Sequence, residues 1–114
     1  MKKLTQNITW NNVQGTQEQI KGYVNNYARD FNVYVTNLVI TNGNVSFTTY
    51  SKISYNDLVV SLIRKKYPVN EEFAILRKAI NGITDEYTTY NTYVEQCKAK
   101  AKEWVTNRDK ILGV

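Results

Sequence analysis

Val33-Tyr34-Val35-Thr36-Asn37-Leu38-Val39-Ile40-Thr41-Asn42-Gly43-Asn44-Val45-Ser46-Phe47-Thr48-Thr49-Tyr50 decides the fold. Two runs rich in β-branched residues flank Asn42-Gly43, and Asn-Gly between such runs is the strongest short-range sign of a hairpin. A two-residue turn sets the register. Ile40 then faces Val45, Leu38 faces Phe47 and Thr36 faces Thr49. That gathers Leu38, Ile40, Val45 and Phe47 on one face as a core surface. The other face carries Val33, Val35, Val39, Ser46, Thr48 and Tyr50. It is only half polar and invites a cover.

Upstream, Leu4, Ile8 and Trp10 alternate with Thr5, Asn7 and Thr9, the period of a half-buried strand. Asn11, Asn12 and Gly15 end it. Thr16-Gln17-Glu18-Gln19 reads as a capping box. Ile20, Tyr23, Val24, Tyr27, Ala28 and Phe31 follow at spacings of three and four, predicting a helix over about 17–30.

Downstream, Ser54-Tyr55-Asn56-Asp57 is a second capping box before Leu58, Val59, Leu62, Ile63 and Tyr67, and Pro68 ends that helix. Asn70 is expected to cap a third helix with Glu71 and Glu72 in its first turn and Phe73, Leu76, Ala79 and Ile80 as its buried stripe. Gly82 is a good stop. Thr84 is expected to cap a last helix that runs to about Leu112. The order β-α-β-β followed by three helices, the last one long, defines an α+β class. One domain spans 1–114, with a β-α-β-β part at 1–53 and a helical part at 54–114. The sheet should be three antiparallel strands with the second hairpin strand central and the first helix on its core face.

Composition narrows the chemistry. The 114 residues include no histidine and one cysteine, Cys97. The commonest general base and metal ligand is missing, and neither an internal disulfide nor a Cys/His zinc site can form. Glu71-Glu72 and Asp85-Glu86 sit at helix starts, where the helix dipole favours acids without any catalytic role. Cys97 lies on an apolar helix face with no histidine to activate it. The five glycines are isolated, so no phosphate loop is present. The expectation is a protein that is not an enzyme and needs no cofactor or metal. Met1-Lys2-Lys3 is followed by no apolar stretch and no run approaches a membrane span, so a soluble protein made in a reducing cytoplasm is expected.

The net charge is +5, and nine tyrosines accompany many Asn and Thr residues, a mixture suited to contact surfaces. Arg64, Lys65 and Lys66 are the candidate nucleic-acid contacts, although cations also suit a helix end. The most specific feature is the last helix. Tyr87, Tyr90, Val94, Cys97, Ala101, Trp104, Arg108 and Ile111 repeat at alternating spacings of three and four, a seam of period 3.5. The other elements are expected to cover its first half. The second half would project and place Ala101, Trp104, Arg108 and Ile111 against a partner chain, with Lys98, Lys102 and Arg108 as a basic rim.

The stretch Tyr55-Asn56-Asp57-Leu58-Val59-Val60-Ser61-Leu62-Ile63-Arg64-Lys65-Lys66-Tyr67, then Asn70-Glu71-Glu72-Phe73-Ala74-Ile75-Leu76-Arg77, then Glu86-Tyr87 and Tyr90-Asn91-Thr92-Tyr93-Val94-Glu95-Gln96-Cys97-Lys98 resembles the C-terminal half of small uncharacterised proteins encoded in structural-gene regions of tailed bacteriophages and prophages. The resemblance covers about residues 48–103 and is a pattern of helix residues without a catalytic motif. It implies a virion component of head, neck or tail, or an assembly factor, made in the host cytoplasm. Its partners would be other virion proteins or copies of itself, with no membrane. The alternative is a small basic protein that binds nucleic acid and is packaged with the genome.

Overall fold

The computed structural model describes residues 3–113. The element order is β1 (Thr5–Trp10), α1 (Gln17–Phe31), β2 (Val33–Thr41), β3 (Asn44–Ser51), α2 (Tyr55–Arg64), α3 (Val69–Ile80) and α4 (Asp85–Leu112). The fold is α+β, with a three-stranded antiparallel sheet of order β1-β3-β2, the second hairpin strand central. The chain forms two compact units, Met1–Lys52 and Ile53–Val114.

In the first unit, Asn42 (φ 50°) and Gly43 (φ 81°) both adopt positive φ, as a type I′ turn requires. Gly43 also accepts a hydrogen bond from the Val13 amide at 2.9 Å, which ties the β1–α1 loop to the turn. Ile40 pairs with Val45 as expected. The register then departs from the expectation. A bulge between Thr36 and Val39 places Thr36 opposite Thr48 and Val35 opposite Thr49. Asn37 takes up the extra residue at φ 56°, the left-handed region that asparagine tolerates best among residues with a side chain. Beyond a bulge the inward and outward sides exchange. Val35 therefore packs on the core with Leu38 and Ile40, instead of facing outward.

The core of this unit is Ile20, Val24, Val45 and Phe47, with Ile8, Trp10, Tyr27, Val35, Leu38 and Ile40 against it. Phe47 is 2% exposed. Trp10 and Tyr27 meet its ring edge-on at 5.1 and 5.6 Å. Burial of one such ring contributes about 2–3 kcal/mol. The capping box that starts α1 is complete: Thr16 accepts from the Gln19 amide, and the Gln19 side chain accepts from the Thr16 amide at 2.8 Å.

In the second unit, Ser54 caps α2 by accepting from the Asp57 amide at 3.2 Å. Two expected caps are corrected. Pro68, not Asn70, occupies the N-cap position of α3, with no side-chain cap bond. Proline, with φ fixed near its observed −60°, makes the extended-to-helical entry two residues earlier than the asparagine would. Thr84 holds the N-cap position of α4, but its backbone is already helical and its side chain makes no cap bond. Gly82 does stop α3. The amides of Gly82 and Ile83 donate to the carbonyls of Ala79 and Lys78, a Schellman closure around a left-handed glycine (φ 87°).

Candidate functional site

α4 is 28 residues long, about 40 Å at 1.5 Å per residue. α2 runs back along it in the opposite direction. At one end the Arg108 Nη1 donates to the Ile53 carbonyl at 2.7 Å, and at the other the Tyr93 hydroxyl donates to the Leu62 carbonyl at 3.0 Å. α3 also packs on α4. The seam therefore finds cover within the chain over more than its first half. Tyr90, Cys97, Ala101 and Arg108 are buried, and Val94 and Trp104 are half-buried.

This corrects the expected interface at two of its four residues. Ala101 is 0% exposed and has no surface to offer a partner. The Arg108 guanidinium is buried, bonded to Ile53 and to Asp109 (3.0 Å), and lies 5.2 Å from the centre of the Trp104 ring. It is a packing element and not a rim charge. The physical reason is the antiparallel return of α2, whose start lies level with Arg108. Ile111, 54% exposed, and part of Trp104 remain accessible.

Several of the apolar side chains that the unit leaves exposed lie on α3. Ile75 is the buried residue of that helix. Phe73 and Ile80, expected in the core, are 56% and 84% exposed, and Val69 and Ile83 are exposed with them. Val69, Phe73, Leu76 and Ile80 are spaced 4, 3, 4, so they form one row along the helix. Val69, Phe73 and Ile80 face outward, with Leu76 half-buried, because a different set at 72, 75 and 79 packs inward. That set includes an acid, Glu72, which hid it from a reading of apolar periodicity.

Glu72 is held in a polar network that joins all three helices. Arg64 donates to both its oxygens at 3.2 and 3.1 Å, and the Tyr90 hydroxyl donates to it as well. The Arg64 and Tyr90 hydrogen bonds hold the Glu72 carboxyl below the usual carboxylate range. Burial, then the bond to Glu72, pushes the Tyr90 hydroxyl up to about 12. Burial also raises Tyr93.

Of the expected nucleic-acid contacts, Arg64 is committed to Glu72 and to the Tyr67 carbonyl (3.2 Å). Lys66 lies over the Tyr67 and Tyr93 rings, 5.6 and 5.0 Å from their centres. Lys65 is exposed. The two carboxylate pairs do not act together: Glu72 faces Arg64 while Glu86 binds Lys78 at 2.9 Å. Cys97 is a buried free thiol. Among the described residues no three Cys, Asp or Glu side chains gather as a metal-binding group, and no helix is long and apolar enough to cross a membrane. The chain matches no family model, no curated protein and no solved structure.

Proposed function

We propose that the chain is a non-enzymatic structural or accessory protein of a tailed-phage virion, in head, neck or tail or in their assembly, and that it works through protein–protein contact. The observation that carries the contact part is the outward apolar row Val69, Phe73 and Ile80 on α3, with Ile83 beyond it. Exposed apolar side chains grouped along one helix are a common mark of a contact surface. The virion part rests on the resemblance of residues 48–103 to phage structural-region proteins. The non-enzymatic part rests on the absence of histidine and on carboxylates that bind arginine and lysine instead of facing one another.

The test is location. An antiserum against the purified chain is used to probe density-banded phage particles from a lysogen that carries the gene. The chain is expected to co-band with particles in fixed ratio to the major structural proteins. Its recovery only in the particle-free lysate would overturn the virion reading.

A further inference from the structure

The inward face of the sheet changes character along its length. Ile8 and Trp10 on β1, and Val45 and Phe47 on β3, pack on the core. Continuing that face at the strand period of two brings Gln6 on β1 and Thr49 on β3, which lie opposite one another. α1 leaves this end of the face uncovered. Its buried residues are Ile20 and Val24, and the helix ends at Phe31, which is 56% exposed. Between them lies a cavity of about 300 Å³, lined by Lys3, Gln6, Tyr27, Phe31, Val33 and Thr49. That is the lower end of the size range of small-molecule sites, about 300–1,000 Å³. Polar residues on the inward face of a sheet cost core packing, and such departures concentrate where a chain binds something.

The lining divides by chemistry. The Tyr27 and Phe31 rings, 4.4 Å apart at 32°, form an aromatic wall with Val33 beside it. Thr49 is buried, and its hydroxyl donates to the Gln6 carbonyl at 3.4 Å, the long limit of a hydrogen bond. A charged acceptor would draw that proton into a shorter and stronger bond. The Gln6 side-chain amide has no hydrogen bond among the described residues and offers two N–H donors. Lys3 is exposed and in no ion pair among the described residues. No acid lines the cavity. The first unit's two acids, Glu18 and Asp30, both lie on α1, beside Lys21 (3.8 Å) and Arg29 (3.6 Å). From these observations we infer that the cavity binds a small organic carboxylate with an aromatic body. The ring lies against Tyr27 and Phe31, and the carboxylate is held by Lys3, Gln6 and Thr49. A cation is selected against, because Lys3 repels it and no lining acid offsets that charge. A bare inorganic anion leaves the aromatic wall unused.

This inference is independent of the contact reading and of the virion assignment, and neither outcome there bears on it. The probe is 3-phenylpropionate, compared with its neutral amide and with 3-phenylpropylamine, which carries the opposite charge on the same ring. Binding to the full-length chain is followed by amide shifts in nitrogen–proton NMR spectra. The carboxylate should bind saturably with Kd below about 1 mM and shift the amides of Gln6, Val33 and Thr49. The amide and the amine should bind at least about fivefold more weakly. Lys3→Gln, at an exposed site, should bring the carboxylate down to the affinity of the amide. Phe31→Ala should weaken the carboxylate about fivefold or more with the fold intact by circular dichroism. If Phe31→Ala unfolds the chain, Lys3→Gln alone decides. Equal affinity for all three probes, no saturable shift up to about 10 mM, or shifts confined to residues outside the cavity would each overturn the inference. So would a Lys3→Gln variant that keeps the full preference for the carboxylate.

Discussion

Tyr90 and Glu72 are shifted in opposite directions: burial and then its bond to Glu72 raise Tyr90, while the Arg64 and then the Tyr90 hydrogen bonds lower Glu72. The hydroxyl donates to the carboxylate, so the folded state favours the protonated tyrosine and the ionised acid. The sign of each effect on stability follows. Glu72, lowered in the fold, contributes stability that is present above the ordinary carboxylate range and is lost as pH falls through its folded value. Tyr90, raised to about 12, contributes stability that is full below its unfolded value near 10 and is lost as pH rises from there towards 12. Tyr90→Phe should therefore cost about 1.5 kcal/mol at neutral pH, the worth of a hydrogen bond to a charged group. It should also flatten the decline between pH 10 and 12. Urea midpoints measured across that range on both proteins check this, and parallel curves would show that Tyr90 titrates no differently in the fold. The sequence showed Glu72 as a first-turn acid and Tyr90 as a seam residue. Their meeting was not legible, because it depends on how α3 and α4 pack and not on either helix alone.

At the scale of elements, the hairpin was legible because its turn chemistry is local: only residues that tolerate positive φ fit at 42 and 43, and Asn-Gly supplies both. The bulge in β2 was missed, although its sign is in the sequence. The apolar phase changes from the odd positions Val33 and Val35 to the even positions Leu38 and Ile40, and a strand that keeps one buried face can do so only with an extra residue between them. Asn37 is where that residue sits. Asn37→Gly should leave stability nearly unchanged, since glycine reaches φ 56° freely. Asn37→Val should cost about 1–3 kcal/mol, because a β-branched residue is strained there. Thermal melts of the two variants decide it; equal midpoints would mean that the bulge relocates at no cost. The helices show the opposite limit of sequence reading. Periodicity found the α4 seam, but on α3 it took Phe73 and Ile80 for part of the buried stripe, and both face solvent. It could not say that the α4 seam is covered as far as Arg108, or that the α3 row faces out, because an apolar face is the same whether its cover is internal or another chain.

Over the whole molecule, the positive charge is spread and not gathered. The first unit carries five basic residues against two acidic ones, and the second ten against eight. On α4, Lys98 pairs with Glu95 at 3.1 Å, and Glu103 and Asp109 stand among Lys100, Lys102 and Lys110. Arg64, a nucleic-acid candidate on sequence grounds, and Arg108 are both occupied within the second unit. What remains near the end of α2 is Lys65, with Lys66 over two tyrosine rings. Each phosphate neutralised adds about −0.9 to the slope of log Kobs against log salt, so the slope counts the contacts that such a surface can assemble. Anisotropy titrations with a 20-base-pair duplex between 25 and 200 mM NaCl should give a slope no steeper than about −3 and no measurable binding at the upper salt. Lys65→Glu with Lys66→Glu should lower the slope by no more than about 2. A slope near −6 would mean that many more phosphates are engaged than the paired and interleaved charges allow. The packaged nucleic-acid reading would then displace the protein-contact reading, since a surface that gathers six phosphates does so by long-range charge and not by the apolar row of α3.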